Sequence, residues 1–351
     1  MPERIELVTL RIAGREFKAW ESISIGRHLD EFTTVGFSAP FDPERRDFRD
    51  TFRPFSFQPV TVDVGDERVF TGTLMGVDPD PSPEGRSVRC SAYAKCAHLN
   101  DCTMPPSAFP LELNGLTLWQ IAEKVCEPFG IDLVIEANDG APFRRVALKP
   151  DDIVLRFLAD LAKQRNLVIS DNAAGGLVFL RSVWVGEEAP VATLREGEAP
   201  LTSLTPTLNP QAYFTEITGV AKTRSGRLGG RFTIKNPFAP EGVFRPLTFE
   251  LDDTDDADVP EATQAKLGRM FGNALSLSAK VPTWRMPGAA LWRPNVLVTL
   301  EAPSSMIYRP TPFLVRDVIL EKEEDEQTAQ LELVLPGAFS GAPPSELPWL
   351  E

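Results

Sequence analysis

Few residues in this chain have the chemistry of a reacting centre. His28 and His98 are the two imidazoles, and Cys90, Cys96, Cys102 and Cys126 the four thiols. Cys96, His98 and Cys102 lie close in sequence, so a metal held by these three is one reading. The other is free thiols as core material, because the C-x-x-C pairing of structural zinc sites is absent. A Ser-His-Asp or Cys-His centre has to use one of the same two histidines, and His28, in Gly26-Arg27-His28-Leu29-Asp30, reads as a turn residue at a strand end. H-E-x-x-H, G-x-S-x-G, P-loop and G-x-G-x-x-G motifs are all missing from the sequence. Residues 252–258 are dense in Asp, but Ala257 and Thr263 stand where an EF-hand loop needs Gly and Glu, and a helix N-terminus attracts the same carboxylates through its dipole. No catalytic, cofactor-binding or metal-ligating residue is therefore assigned. Paired carboxylates are judged by their separation in space, which leaves a cell-wall or polysaccharide hydrolase as an enzyme alternative. Trp119, Trp184, Trp284 and Trp292, if exposed, suit a glycan-binding receptor, although Trp292 beside Arg293-Pro294 reads more simply as a core plug.

The elements that must position these residues are mostly strands. In residues 60–104, Val60, Val62 and Val64 alternate with polar residues, as do Val69, Thr71, Thr73 and Met75, and then Val88, Cys90 and Ala92; period two marks half-buried strands. Gly65-Asp66 closes the first hairpin, and the proline-rich run at 78–85 is excluded from a sheet interior. Downstream, Val296, Val298 and Leu300, then residues 312–320, then Leu331, Leu333 and Leu335 repeat the plan. Phe57-Gln58-Pro59 holds the place of Trp292-Arg293-Pro294, and Phe70-Thr71-Gly72 that of Phe313-Leu314-Val315. Between the two passages the period becomes helical. Thr117 and Gln120 have capping-box spacing, Ile121, Ala122, Val125 and Cys126 form one stripe, and Pro128 with Gly130 ends the helix. A second helix begins near Asp151 and leads to a hairpin at 167–180.

This gives a multidomain, β-rich α+β chain: two similar antiparallel β-barrel (tube-like) domains, a small α/β domain between them and a helix-containing insertion. The first barrel spans 1–104 and the α/β domain 105–186. Residues 187–221 are a linker and the opening strand of the second barrel, 222–282 the insertion, 283–340 the rest of that barrel, and 341–351 a Pro-rich arm. A length of 351 residues exceeds one ordinary core, and 42% apolar with 25% charged residues marks a folded chain. The net charge of −14 argues against a nucleic-acid-binding surface and suits a wall past which DNA slides. The charged first apolar run does not read as a signal peptide, and no apolar run is long enough for a membrane span, so cytoplasmic synthesis is expected. The charged stretch 42–50 reads as a solvated loop, with a subunit contact as the functional alternative.

The succession FTGTL, VRCSAYAKCAHLNDC, LTLWQIAEKVCEPFGIDLVIE and IVLRFLADLAKQRNLVISDNAAGGLVFLR resembles the baseplate hub proteins of Mu-like contractile-tailed phages, relatives of the late control D proteins and of the hub part of VgrG spikes. The family habit is a strand with a glycine, here Gly72; a turn like "GRSKTGDLVDCS", here ending in Leu99-Asn100-Asp101-Cys102; and a helix closing in "pfGi", here Pro128-Phe129-Gly130-Ile131. Ala92-Tyr93-Ala94-Lys95 departs from the family's Gly-Arg-Ser-Lys. The match runs from about residue 9 to residue 339. The resemblance implies a structural virion protein of the tail baseplate, not an enzyme. It implies a homotrimer that adapts a six-fold tail tube to a three-fold spike, with tail tube, central spike, baseplate wedge and tape measure proteins as partners and DNA present only in transit. The acidic runs at 252–258 and 321–326 are then candidates for the channel or its mouths.

Overall fold

Alternating apolar residues build most of the molecule, whose computed structural model describes residues 5–82, 85–183, 185–186, 188–222, 228–251, 259–324, 326–341 and 343–350. The N-terminal strands are β1 (Val8–Ile12), β2 (Arg15–Glu16), β3 (Ser22–His28), β4 (Thr34–Pro40), β5 (Pro59–Val64), β6 (Glu67–Ser82) and β7 (Gly85–Ala94). The inward residues of β1 and β5, from Val8 to Ile12 and from Val60 to Val64, are buried in alternation, as the pattern requires. Between β4 and β5 the charged stretch is not a loop throughout. It contains α1 (Arg46–Thr51), because Phe48 and Phe52 fall one turn apart and insert against Phe17. The family glycine also has a physical role: at Gly72 the backbone of β7 at Tyr93 and the Phe70 ring leave no room for a Cβ. Gly72→Ala is expected to cost about 1–3 kcal/mol through overpacking. An unchanged urea midpoint would contradict this.

The middle of the chain follows its sequence signals. Thr117 and Gln120 form a reciprocal capping box on α2 (Leu118–Cys126), and Gly130 leaves the following turn in the left-handed region at φ 60°. A small sheet of β8 (Leu133–Ile135), β9 (Val168–Asp171) and β10 (Leu177–Leu180) packs with α2 and with α3 (Val154–Gln164). Next come β11 (Ala192–Arg195), β12 (Ser203–Leu208), β13 (Glu216–Lys222), β14 (Leu228–Lys235), β15 (Pro246–Leu251) and α4 (Val259–Ala274). The last strands are β16 (Leu275–Val281), β17 (Leu297–Ala302), β18 (Ile307–Glu323) and β19 (Glu326–Val334).

Two expectations are corrected here. The second half opens not at Tyr213 but inside the stretch read as linker, where β11 pairs in parallel with β17 and β12 then pairs with β16. Pro206 hides β12 from a sequence reading, yet it is tolerated because β12 is bonded only to β16 and Pro needs no partner on an open edge. The strand read as the opening one, β13, belongs instead to a separate sheet, β14-β13-β15, beside α4.

The second correction concerns the barrels. Among the described residues no sheet closes; the two halves are arms of one 13-stranded sheet whose path runs β12-β16-β19-β18-β3-β4-β7-β6-β5-β1-β2. The cause is β3, whose second edge pairs with β18 of the other half rather than within its own. The halves nevertheless share a plan. The spatial order β3-β4-β7-β6-β5 recurs as β12-β16-β19-β18-β17, with the strands in the same chain order. Each contains one very long strand, of 16 residues in β6 and 17 in β18, interrupted by a bulge after Leu74 and after Val315. The Leu74 N–H bonds the Gln58 carbonyl as the Val315 N–H bonds the Val296 carbonyl. Phe57 and Asn295, the residues before those carbonyls, are both left-handed, at φ 47° and 60°. Aligning the bulges sets Gly72 opposite Phe313, two residues from the correspondence read from sequence.

Candidate functional site: the joined and the open sheet edges

The seam between the halves is tied by a ladder and by side-chain bonds. Strand β18 pairs with β3 from Asp317 opposite His28 to Glu323 opposite Ser22. His28 Nδ1 lies 3.0 Å from Asp317 Oδ1, and Arg316 Nε donates to the other carboxylate oxygen at 2.7 Å. Arg27 reaches across to the Trp292 carbonyl at 3.1 Å. Glu6, just before β1 and 3% exposed, accepts from Arg285 Nε and Nη2 at 2.7 and 2.8 Å. The Glu6 N–H donates to Gln327 Oε1, and the Glu6 carbonyl accepts from Lys322 Nζ. A residue of the first half is thus held by three of the second.

The His28–Asp317 pair also sets a pH window. Burial pulls the His28 imidazole down, but the hydrogen bond and charge of Asp317, with Glu31 and Asp30, outweigh it and the net direction is up. Burial likewise pulls Asp317 up, and the His28 bond and Arg316 outweigh it, so the net direction is down. The raised imidazole contributes stability that is fully present below its unfolded value of about 6.5 and lost as pH rises through the folded one. The lowered carboxylate contributes stability present above about 4 and lost as pH falls. Wild type is therefore expected to exceed His28→Asn in thermal midpoint most at about pH 5–6, with the gap shrinking above about pH 7. A constant gap from acid to alkali would contradict this.

The small α/β unit bridges both halves. Asp171 at the end of β9 accepts from the Thr33 N–H and hydroxyl at 2.7 and 2.9 Å, and burial pushes its carboxyl up. Ser170 donates to the His28 carbonyl, and Asn295 of the second half bonds Val183 and Arg181. The sequence candidates for chemistry serve this packing. His98 bonds Thr73 at 3.1 Å, and the Cys96 N–H bonds Gly175. Burial pushes the thiols of Cys90 and Cys126 up to about 12, and that of Cys96 upward. Among the described residues no three His, Cys, Asp or Glu side chains come together as a metal site, and no helix is long and apolar enough to cross a membrane. Trp284 and Trp292 are fully buried, and so present no sugar platform; Trp119 is 36% exposed, and Trp184 lies outside the described residues. Residues 252–258 lie outside them too. The other acidic run forms the exposed β18–β19 turn, Asp325 being outside the described residues.

Among the open edges of the long sheet, two belong to corresponding places in the repeated plan. Beyond Gly76, β6 has β7 as its one strand neighbour, and β12 has β16. Each open edge carries exposed apolar side chains. Phe55 and Phe57, 87% and 53% exposed, stand where β5 stops beside β6. Leu208, 55% exposed, ends β12 and lines a cavity of about 630 Å³ with Tyr213, Phe238, Val243, Phe271 and Trp349. The proline-rich arm reaches this place: Leu347 is buried, and Arg309 donates to the Leu350 carbonyl at 2.6 Å.

A repeated five-strand plan whose halves are joined through one shared ladder, with an α/β unit laid across them, defines the fold. The comparisons agree. Residues 96–181 match the family described as "Baseplate hub protein gp44-like, second domain". The chain is 26% identical over 329 residues, 89% of its length and 83% of the relative's, to the baseplate hub protein gp44 of Escherichia phage Mu. The same fold occurs in the 43 kDa tail protein of prophage MuSo2 from Shewanella oneidensis (TM-score 0.79, 24% identity, covering 95% of this chain and 99% of that one). It also occurs in a tail protein from Neisseria meningitidis MC58 (TM-score 0.79, 18% identity, covering 97% and 100%). Over most of its length the chain is thus similar to the Mu-type baseplate hub proteins, as its sequence resemblance implied.

Proposed function

We propose that this chain is the structural hub of a phage-tail baseplate, a component of the virion tail with no catalytic step of its own. Its similarity to the Mu hub supports the role. The observation that carries the mechanism is the repeated five-strand order, since a chain with two like units offers two like surfaces to whatever it meets. In the assemblies it resembles, the tube is six-fold and the spike three-fold. Three copies present six similar β units to the tube above while keeping three-fold symmetry toward the spike below. The homotrimer, the contacts with tube, spike, wedge and tape measure proteins, and the division into 1–104, 105–186, 187–221, 222–282, 283–340 and 341–351 belong to this proposal. So does the placing of the exposed β18–β19 turn, with Glu321, Glu323, Glu324 and Glu326, at the channel or one of its mouths, where like charge keeps passing DNA from sticking.

The purified, concentrated chain, or hub released from tails, is expected to have the mass of three chains by native mass measurement. A stable hexamer contradicts the adaptor reading. Loss of cell-wall or glycan from a purified substrate, abolished by changing one carboxylate, contradicts the structural one.

A further inference from the structure

The C-terminal arm, residues 343–350, is held almost entirely by side chains. Among the described residues its backbone bond is internal, from the Leu350 N–H to the Leu347 carbonyl at 3.1 Å. One residue ties it to the rest of the chain: Arg309 Nη2 donates to Glu346 Oε2 at 3.3 Å and to the Leu350 carbonyl at 2.6 Å. The Arg309 and Glu346 side chains are both more than half exposed, where an ion pair contributes little. The remaining hold is apolar, with Leu347 and Pro348 buried and Trp349 half-buried.

That apolar seat is not filled. Leu335 lines a cavity on either side of the arm, one of about 280 Å³ with Pro310, Pro343 and Pro344, the other of about 630 Å³ with Leu347 and Trp349. Gaps of this size forfeit the contacts that a closely packed segment makes, so the arm opens at less cost than the sheet it lies on. The larger cavity has walls of its own. Phe271 lines it with the Tyr213 and Phe238 rings edge-on at 6.0 and 6.1 Å. The Tyr213 hydroxyl donates to the Phe238 carbonyl at 3.0 Å, and Arg245 donates to the Tyr213 and Gln211 carbonyls at 3.1 and 3.2 Å. None of these bonds involves the arm, so the groove keeps its shape when the arm leaves.

We propose that this groove is a docking site for an extended segment of a partner protein, one that carries leucine and tryptophan side chains and a carboxylate, and that the arm is a displaceable plug occupying it in the free chain. The chemistry of the segment is read from the plug: Leu347 and Trp349 meet the apolar lining, and Glu346 meets Arg309. Charge agrees with this. Arg245 and Arg309 set two guanidiniums beside the groove in a chain of net charge −14, a local field that attracts an acidic segment. Leu208 and Val243, which line the groove at 55% and 46% exposed, extend the apolar surface past the arm and give a longer segment further anchors. The plug does not depend on the number of subunits in the ring.

A fluorescent peptide with the sequence of residues 343–350 is the probe. Leu347→Ser with Trp349→Ser in the full chain frees the groove. This variant, shown to be folded by its circular dichroism, is expected to bind the peptide at least tenfold more tightly than wild type, whose own arm competes at high effective concentration. A peptide carrying Glu346→Lys is expected to bind the variant at least threefold more weakly than the unaltered peptide. No binding by the folded variant overturns the docking site, and equal binding by variant and wild type overturns the plug. Self-association of wild type that the arm variant abolishes makes the occupant the arm of a second copy and overturns the partner reading. Opening is read separately from Leu347→Cys in the full chain. A thiol reagent, its sites located by mass spectrometry, is expected to label residue 347 at least tenfold faster than the buried Cys90, Cys96 and Cys126. Equal rates mean that the arm opens only with the whole molecule, and overturn the plug.

Discussion

Replacing Trp292 by alanine is expected to cost about 4 kcal/mol, within the range for emptying a fully buried aromatic site. Its ring is 0% exposed in the core of the second half, and its backbone N–H bonds the Trp284 carbonyl while its own carbonyl receives Arg27 across the seam. The two tryptophans separate packing from hydrogen bonding. Trp292 Nε1 is buried without a partner, whereas Trp284 Nε1 donates to the Thr328 and Glu321 carbonyls at 2.9 and 3.2 Å. Trp284→Phe strips the indole donor from two part-buried carbonyls, whereas Trp292→Phe removes a donor that has no partner. Trp284→Phe should therefore be the more destabilising by about 1–2 kcal/mol. Chemical denaturation of the three variants measures this; equal costs for the two phenylalanine variants would contradict the hydrogen-bond account.

Arg285→Met is expected to cost about 3 kcal/mol, because it leaves Glu6 as a buried carboxylate without its bidentate partner. The low end of the usual range applies, since Arg285 lies near the surface and some water reaches the site. The informative comparison is the double variant Glu6→Gln with Arg285→Met. Burying an uncharged amide costs less than burying a carboxylate that has lost its guanidinium, so the double variant should be more stable than Arg285→Met alone. If the two losses simply add, Glu6 is not the group that makes the arginine necessary.

The sequence was most legible where local rules act alone. The capping box at Thr117, the left-handed Gly130 and the alternations in β5 and β19 all stand where their spacing placed them. The proline run after Asp78 is a strand, yet an edge one, so the rule that bars Pro from a sheet interior held while its secondary-structure consequence did not. What was not legible depends on partners far away in the chain. Alternation in β3 shows which face is buried but not that its second edge is taken by β18, some 290 residues on, and so two arms of one sheet read as two barrels. Strand β12 was lost for the opposite reason: with both faces largely exposed in the single chain, it has no periodicity to read. Glu6 gave no signal, as a lone acid near a terminus carries no motif. Phe55 and Phe57 offered one, apolar residues beside a proline outside any periodic run, and it became interpretable only once their exposure was known.

The central claim, a structural hub that places two like units per chain around the tail axis, is tested most directly by cryo-electron microscopy of intact tails, counting copies of this chain and locating them. The account predicts three copies in one ring on the axis, between tube and spike, with six similar β units facing the tube. Six copies in that ring, or a position at the periphery of the baseplate away from the axis, would contradict it.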